Sequence, residues 1–218
     1  MLGNGLWGPF SSVSDGIRIS ENVIWQPIEV NDHLDQQILD HMARASSEQD
    51  LRYPIGKFDP AAFSSFAENV QIIAELPAEL LRAVDGLTEV QLDAPYRSGG
   101  WTLRQTVHHI ADSHMNALCR FKLALTEDEP PTIRPYMEDR WAQLADSKMP
   151  INVSLAMIEG IHVRWAELLR SMDAAELERE FVHPETGRWK LKAVAGLYAW
   201  HSRHHTAHIT AARERNGW

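Results

Sequence analysis

Thr102-Leu103-Arg104-Gln105-Thr106-Val107-His108-His109-Ile110-Ala111-Asp112-Ser113-His114-Met115-Asn116-Ala117-Leu118-Cys119-Arg120-Phe121-Lys122-Leu123-Ala124-Leu125 is the stretch that decides the fold. It opens with a capping box, Thr102 with Gln105 three residues on, which satisfies two backbone donors that a helix start leaves free. Leu103, Val107, Ile110, Leu118, Phe121 and Leu125 then recur at helical spacing and make one apolar stripe. Thr126 and Pro130-Pro131 stop it, because the residue before proline is pushed out of the helical region. The spacing therefore predicts an amphipathic helix over 102–125. His114 lies within its stripe. His109 projects to one side, among the small residues Thr106, Ser113 and Ala117, and His108 projects to the other.

The same periodicity extends outward. Phe63, Phe66, Val70, Ile73, Leu76, Leu80, Leu81, Val84 and Leu87 form a second helical run, which Asp59-Pro60 should open as N-cap and first helical residue. Pro77 should kink or split this helix near Glu75. Thr88-Glu89-Val90-Gln91 is a further capping box, and Pro95 to Gly100 is loop chemistry. Residues 130–153 form a long, proline-containing connection with one short helix expected around 138–144. Leu155, Ile158, Ile161, Trp165, Leu168 and Leu169 predict a third long helix over 154–172, with His162 near its inner stripe. Asp173 to Glu176 caps a short helical piece. Residues 181–190 hold the turn Pro184-Glu185-Thr186-Gly187 between extended residues, a small hairpin. A fourth long helix runs over 191–215 and stops at Asn216-Gly217. Four long amphipathic helices joined by mixed loops predict an all-α chain, an antiparallel four-helix bundle with long connections and short extra helices.

Composition bounds the function. The chain has 218 residues, 44% hydrophobic and 23% charged, enough for one sizeable core. Its net charge of −9 offers no basic surface for nucleic acid and disfavours an anionic membrane. Nothing approaches the roughly 18 apolar residues of a membrane span, and no signal-peptide pattern opens the chain. Cys119 is the only cysteine, so a cysteine-based metal site is excluded and a reducing, cytoplasmic setting is expected. Residues 1–52 read as an N-terminal extension: a loop rich in Gly, Ser and Pro, then one amphipathic helix over 31–45. Residues 53–218 form the bundle domain.

The second decisive stretch is Trp200-His201-Ser202-Arg203-His204-His205-Thr206-Ala207-His208-Ile209, with four histidines in eight residues. His201, His205 and His208 lie along the face that also carries Val194, Leu197, Tyr198, Ile209 and Ala212. His204 stands about 60° off that line. Imidazoles where leucines belong have two explanations. They are core histidines satisfied by hydrogen bonds, or they ligate a metal. Two histidines one turn apart can share an ion, but a catalytic site needs a third protein ligand. Across a bundle, His109 stands where such a ligand would come from.

The chain from Tyr53 to Trp218 resembles the YfiT-type bacillithiol transferases of the DinB-like superfamily. The landmarks are Tyr96-Arg97, Gly99-Gly100-Trp101-Thr102, Arg104-Gln105, His108 to Asn116, Arg120 to Leu123, Ile133-Arg134-Pro135-Tyr136, Gly196-Leu197-Tyr198, Trp200-His201-Ser202, His204-His205 and Ala207-His208-Ile209. The resemblance implies a divalent metal, zinc or nickel, held by His109, His201 and His205. It also implies a homodimer, and either transfer of a low-molecular-weight thiol to an electrophile or a hydrolysis. Residues 1–52 inherit no role from it.

Three neutral imidazoles leave an ion its full charge and an open position, from which it can make a nucleophile at neutral pH. Asp112 is a candidate acceptor or base behind the ligands, with a solvated helix acid as the alternative. Arg120 and Arg134 are candidates to hold the carboxylates of a thiol co-substrate, with structural ion pairs as the alternative. Cys119 projects away from the ligand face, and Trp101 and Trp200 are walls rather than chemistry. Three functions stay open: thiol transferase, hydrolase, and a metal- or ligand-binding bundle without turnover.

Overall fold

The structure, a computed structural model, describes residues 51–218. The helix expected over 31–45 and the rest of the extension lie outside the described residues. In chain order the elements are α1 (Phe66–Val84), α2 (Glu89–Leu92), α3 (Leu103–Thr126), α4 (Glu138–Trp141), a 3₁₀ turn (Ala145–Lys148), α5 (Asn152–Ser171), α6 (Ala174–Leu177), β1 (Glu180–His183), β2 (Gly187–Lys190) and α7 (Leu191–Asn216). The long helices α1, α3, α5 and α7 make the four-helix bundle.

The local signals act as read. Capping boxes open α2, α3 and α6 at Thr88, Thr102 and Asp173. Gly217 closes α7 in the left-handed region at φ 69°. The hairpin forms with Phe181 opposite Trp189, and Gly187 takes φ 84° at its turn. Three expectations need correction. Asp59-Pro60 starts a turn rather than a helix, because Asp59 Oδ1 takes the N–H of Ala61 and the helix is capped by Ser65. Phe58 and Phe63 pack on each other and Phe58 on Trp200, which holds this turn against α7. The connection carries a 3₁₀ turn in addition to the short helix α4. Finally, Pro77 does not split α1, which continues through it. The missing N–H leaves the Ile73 carbonyl without its usual partner, and the ring of His162 fills the gap with a 2.5 Å hydrogen bond.

Each long helix packs principally on two others: α1 on α5 and α7, α3 on α5 and α7. Pairings along the helices give their sense. His108 meets Ser154 and His114 meets His162, so α3 and α5 run parallel. Phe63 lies by Gly196 and Ala83 by Arg213, so α1 and α7 also run parallel. Tyr198 reaches Ser113 while His205 lies by His109, so α3 and α7 are antiparallel. The long connection after α3 makes the parallel α3–α5 pair possible, since it must return along the bundle before α5 begins. It is fastened at both ends. Ile133 and Val182 pair with their neighbours through the backbone, and the guanidinium of Arg104 holds Asp93, Glu89 and the Met149 carbonyl.

The core has two apolar halves. One gathers Ile73, Phe121, Trp165, Leu169, Leu191 and Tyr198; the other gathers Leu76, Leu80, Leu103, Val107, Ile158 and Ile209. Burial of each such side chain contributes about 1.5–3 kcal/mol. Between the halves lies a layer of histidines drawn from α3, α5 and α7.

Candidate metal centre

His109 is buried on α3, and its small neighbours Thr106, Ser113 and Ala117 are buried with it. They leave space that a larger residue would fill. On α7, Gly196 lets the helix approach the chain at Phe63, just before α1. A Cβ at position 196 would stand 2.9 Å from the Phe63 carbonyl oxygen.

His109, His201 and His205 converge. One ring nitrogen from each lies within 4.8 Å of the others. His109 Nε2 and His201 Nε2 are 3.3 Å apart. Two nitrogens bound at ~2.0–2.1 Å to one tetrahedral ion stand about 3.3 Å apart, so this spacing is that of a ligand pair. The donor set is three neutral imidazoles. Burial pushes His109 down to about 4 and holds His201 and His205 well below the ordinary histidine range. Neutral imidazole is the ligating form. Trp101 tilts over His109 at 4.5 Å between ring centroids and walls one side.

His204, His205 and His208 form a second group with nitrogens within 4.8 Å. It shares His205 with the first, and a neutral imidazole has one lone pair to give. The two groups are therefore alternatives. His204 stacks on Trp200 and His208 on Tyr96, and His208 Nε2 donates to the Arg52 carbonyl. These two rings are held by aromatic packing, whereas the first group draws on two helices.

The remaining candidates fall in different places. His108 is a satisfied core histidine. Its Nε2–H donates to the Met149 carbonyl and its Nδ1 accepts from Ser154. Asp112 is half-buried and makes no hydrogen bond to a ligand ring. Burial, reinforced by Asp146, raises it to about 6. The hydrogen-bond acceptor behind His201 is instead His114, whose Nε2 lies 3.0 Å from His201 Nδ1. His114 Nδ1 in turn lies 2.8 Å from His162 Nε2. Arg120 stands beside Tyr198 and Glu138. Arg134 lines a cavity of about 450 Å³ with Asn116, Tyr136 and Arg140. Neither arginine lines the cavity that reaches His205. That cavity, about 230 Å³, is lined by Arg52, Arg97, Trp101, the histidines 204, 205 and 208, and Asp139, whose carboxylate accepts from Trp101 Nε1. Arg97 Nε is buried there without a partner. Arg52 and Arg97 carry no sequence signal beyond the Tyr96-Arg97 landmark. Cys119 is exposed.

Comparison with known proteins agrees with this architecture. The sequence pattern of the DinB superfamily matches residues 72–209. A Bacillus cereus (strain 03BB102) protein, provisionally named a metal-dependent hydrolase, is 56% identical over 172 residues, 78% of this chain and 99% of its own length. A Bacillus mycoides (strain KBAB4) protein of the same provisional name is 55% identical over 175 residues. Among solved structures, YfiT from Bacillus subtilis, described as a probable metal-dependent hydrolase with an unusual four-helix bundle topology, superposes with a TM-score of 0.73 at 48% identity. It covers 78% of this chain and 99% of its own.

Proposed function

The chain belongs to the DinB superfamily, and on that footing we propose a metal-dependent enzyme that joins a low-molecular-weight thiol to an electrophile. The observation that carries this reading is the convergence of His109, His201 and His205 from two helices on one point beside an arginine-lined cavity. A zinc or nickel ion held there would lower the pKa of a thiol or water that it coordinates, making a nucleophile available at neutral pH. The chain supplies the rest. The three rings are neutral before any ion arrives, so ligation releases no proton from an imidazolium. Trp101 covers His109 and excludes water from that side. Arg52 and Arg97 place two cations on the cavity beside His205, where they would hold the carboxylates of an anionic thiol by charge-assisted hydrogen bonds. The thiol and the electrophile are the partners this reading requires, and a homodimer is proposed with them.

The names of the relatives favour a second reading, hydrolysis at the same three histidines. One assay separates the two. The zinc- or nickel-loaded protein is incubated with monochlorobimane, with and without a carboxylate-bearing thiol such as bacillithiol, and with a panel of amide and ester substrates. Thiol-dependent loss of the bimane, abolished by His109→Ala, is the expected result. Turnover of amides or esters with no thiol present overturns the transferase in favour of the hydrolase.

A further inference from the structure

The proline inside α1 bears on the metal centre. Residue 77 has no N–H, so the Ile73 carbonyl lacks its helical donor. The ring of His162, from α5, supplies one through Nδ1. A carbonyl can only accept, so the proton of His162 must sit on Nδ1. His162 and His114 are fully buried, and their nitrogens meet only each other, His201 and the Ile73 carbonyl, so no carboxylate is there to pair a charged ring and each ring carries one proton. The consequence propagates. With its proton on Nδ1, His162 offers a bare Nε2 to His114 Nδ1, 2.8 Å away, and that nitrogen must be the donor. His114 Nε2 is then bare and faces His201 Nδ1 at 3.0 Å, so the donor there is His201. His201 Nε2 is left with its lone pair exposed. It points at His109 Nε2 and accepts at 3.4 Å from the Ser113 hydroxyl. His114 and His162 are fully buried, and Trp165 and Tyr198 pack edge-on against His114. These contacts leave His114 no room for a water that could offer a different partner.

We propose that His162 and His114 are positioning residues. Anchored on the carbonyl that Pro77 frees, they hold His201 in the Nδ1–H tautomer and so present its Nε2 lone pair to an ion shared with His109 and His205. The inference rests on the metal reading of that triad. Neither residue touches substrate. Each acts through the next ring, as a histidine ligand is oriented by the group that accepts its other N–H.

The test reads the tautomers in the metal-free protein and the affinity separately. Long-range proton–nitrogen correlation spectra of the ¹⁵N-histidine-labelled full chain at pH 7 should show His162, His114 and His201 all in the Nδ1–H form. Free imidazole side chains disfavour that form, so it will not arise by default. In His162→Leu the relay loses its anchor. His201 should then become a mixture of tautomers, and zinc affinity by competition titration should fall about 10–100-fold. His162→Gln, whose amide can both donate and accept, should restore affinity to within a few-fold. A metal-free wild type with His201 in the Nε2–H form overturns the proposal, even if the leucine variant fails to fold. So does a folded His162→Leu with unchanged His201 tautomer and unchanged affinity. Wild-type protein that binds no zinc or nickel sinks the metal reading instead, while the spectra still decide the relay.

Discussion

Acid should unfold the metal-free protein well above the pH at which its carboxylates titrate. His162 is fully buried, and its ring is held down from 6.5 to about 4 because charging it there would strip its hydration. An unfolded chain takes up that proton near pH 6.5; the folded chain refuses it until about pH 4. Between those values the unfolded state binds more protons, so stability is complete above about pH 6.5 and falls as the pH falls. Each pH unit of difference is worth about 1.4 kcal/mol, so this one ring withdraws about 3 kcal/mol by pH 4. His109 and His208, each also at about 4, act with the same sign, as do His201, His205 and His114. Three such rings withdraw about 9 kcal/mol by pH 4, a sum comparable with a total stability of roughly 5–15 kcal/mol, and the other buried rings add to it at higher pH. Asp112 opposes them. Its folded pKa is raised to about 6, so it favours the fold as the pH drops through that value, and Glu138, also raised by burial, acts with it, but these are two partly exposed groups against several buried rings. Calorimetric melts of EDTA-treated protein at pH 7.5, 6.5, 6.0 and 5.5 should show Tm falling steadily. The slope at pH 5.5 should correspond to uptake of about three protons or more on unfolding. A saturating divalent ion should move the transition to lower pH, because it holds the rings deprotonated. A Tm that is flat or rises between pH 7.5 and 5.5 would refute the reasoning.

Three other outcomes follow from named contacts. His109→Ala removes the only ligand that α3 supplies; zinc affinity should fall more than about 100-fold by competition titration, with the far-UV dichroism unchanged, since structural zinc binding of roughly 10–16 kcal/mol is shared among about four ligands. Gly196→Ala sets a Cβ against the Phe63 carbonyl at 2.9 Å, where backbone rather than a flexible side chain must yield; denaturant unfolding should show a loss of about 1–3 kcal/mol. Arg97→Gln should raise the KM for a carboxylate-bearing thiol about tenfold while kcat changes less than about twofold, and the KM for an uncharged thiol should not move, because one charge-assisted contact of roughly 1.5 kcal/mol is lost.

What could be read from the chain was what is local. The capping boxes at Thr88, Thr102 and Asp173 join residues three apart, and the stripes of α3 and α7 join residues within two turns, so neither depends on the rest of the fold. His109 stands apart from His108 because its flank is small, but His204 and His208 are one turn apart just as His201 and His205 are, and the set His109, His201 and His205 came from the family resemblance rather than from spacing. The start of α1 was misplaced because Phe58 and Phe63 hold the Asp59-Pro60 segment as a turn against Trp200, more than 130 residues away in the chain. The parallel pairing of α3 with α5 depends on where a long connection runs, and helical periodicity is silent on that.

The histidine layer shows why the site was only half legible. Each imidazole in an apolar stripe forgoes about 1.5–3 kcal/mol that a leucine there would contribute. It is tolerated only if its nitrogens are satisfied. His114 and His162 each interrupt a stripe once, so each alone reads as a core histidine with an ordinary partner. Their partners are each other, His201, and a carbonyl exposed by a proline on a fourth element. The signal is therefore an interruption at one level of several helices, and levels are comparable only once the register and sense of the helices are known. Pro77 makes the point most sharply: by its own sequence it is a helix breaker, and only the ring of His162 opposite makes it the anchor of a polar layer between two apolar halves. The same exchange explains why removing the layer cannot be neutral. A leucine at 162 gains apolar burial but orphans the Ile73 carbonyl and His114 Nδ1, and two unsatisfied buried groups at about 1–3 kcal/mol each outweigh one side chain's gain.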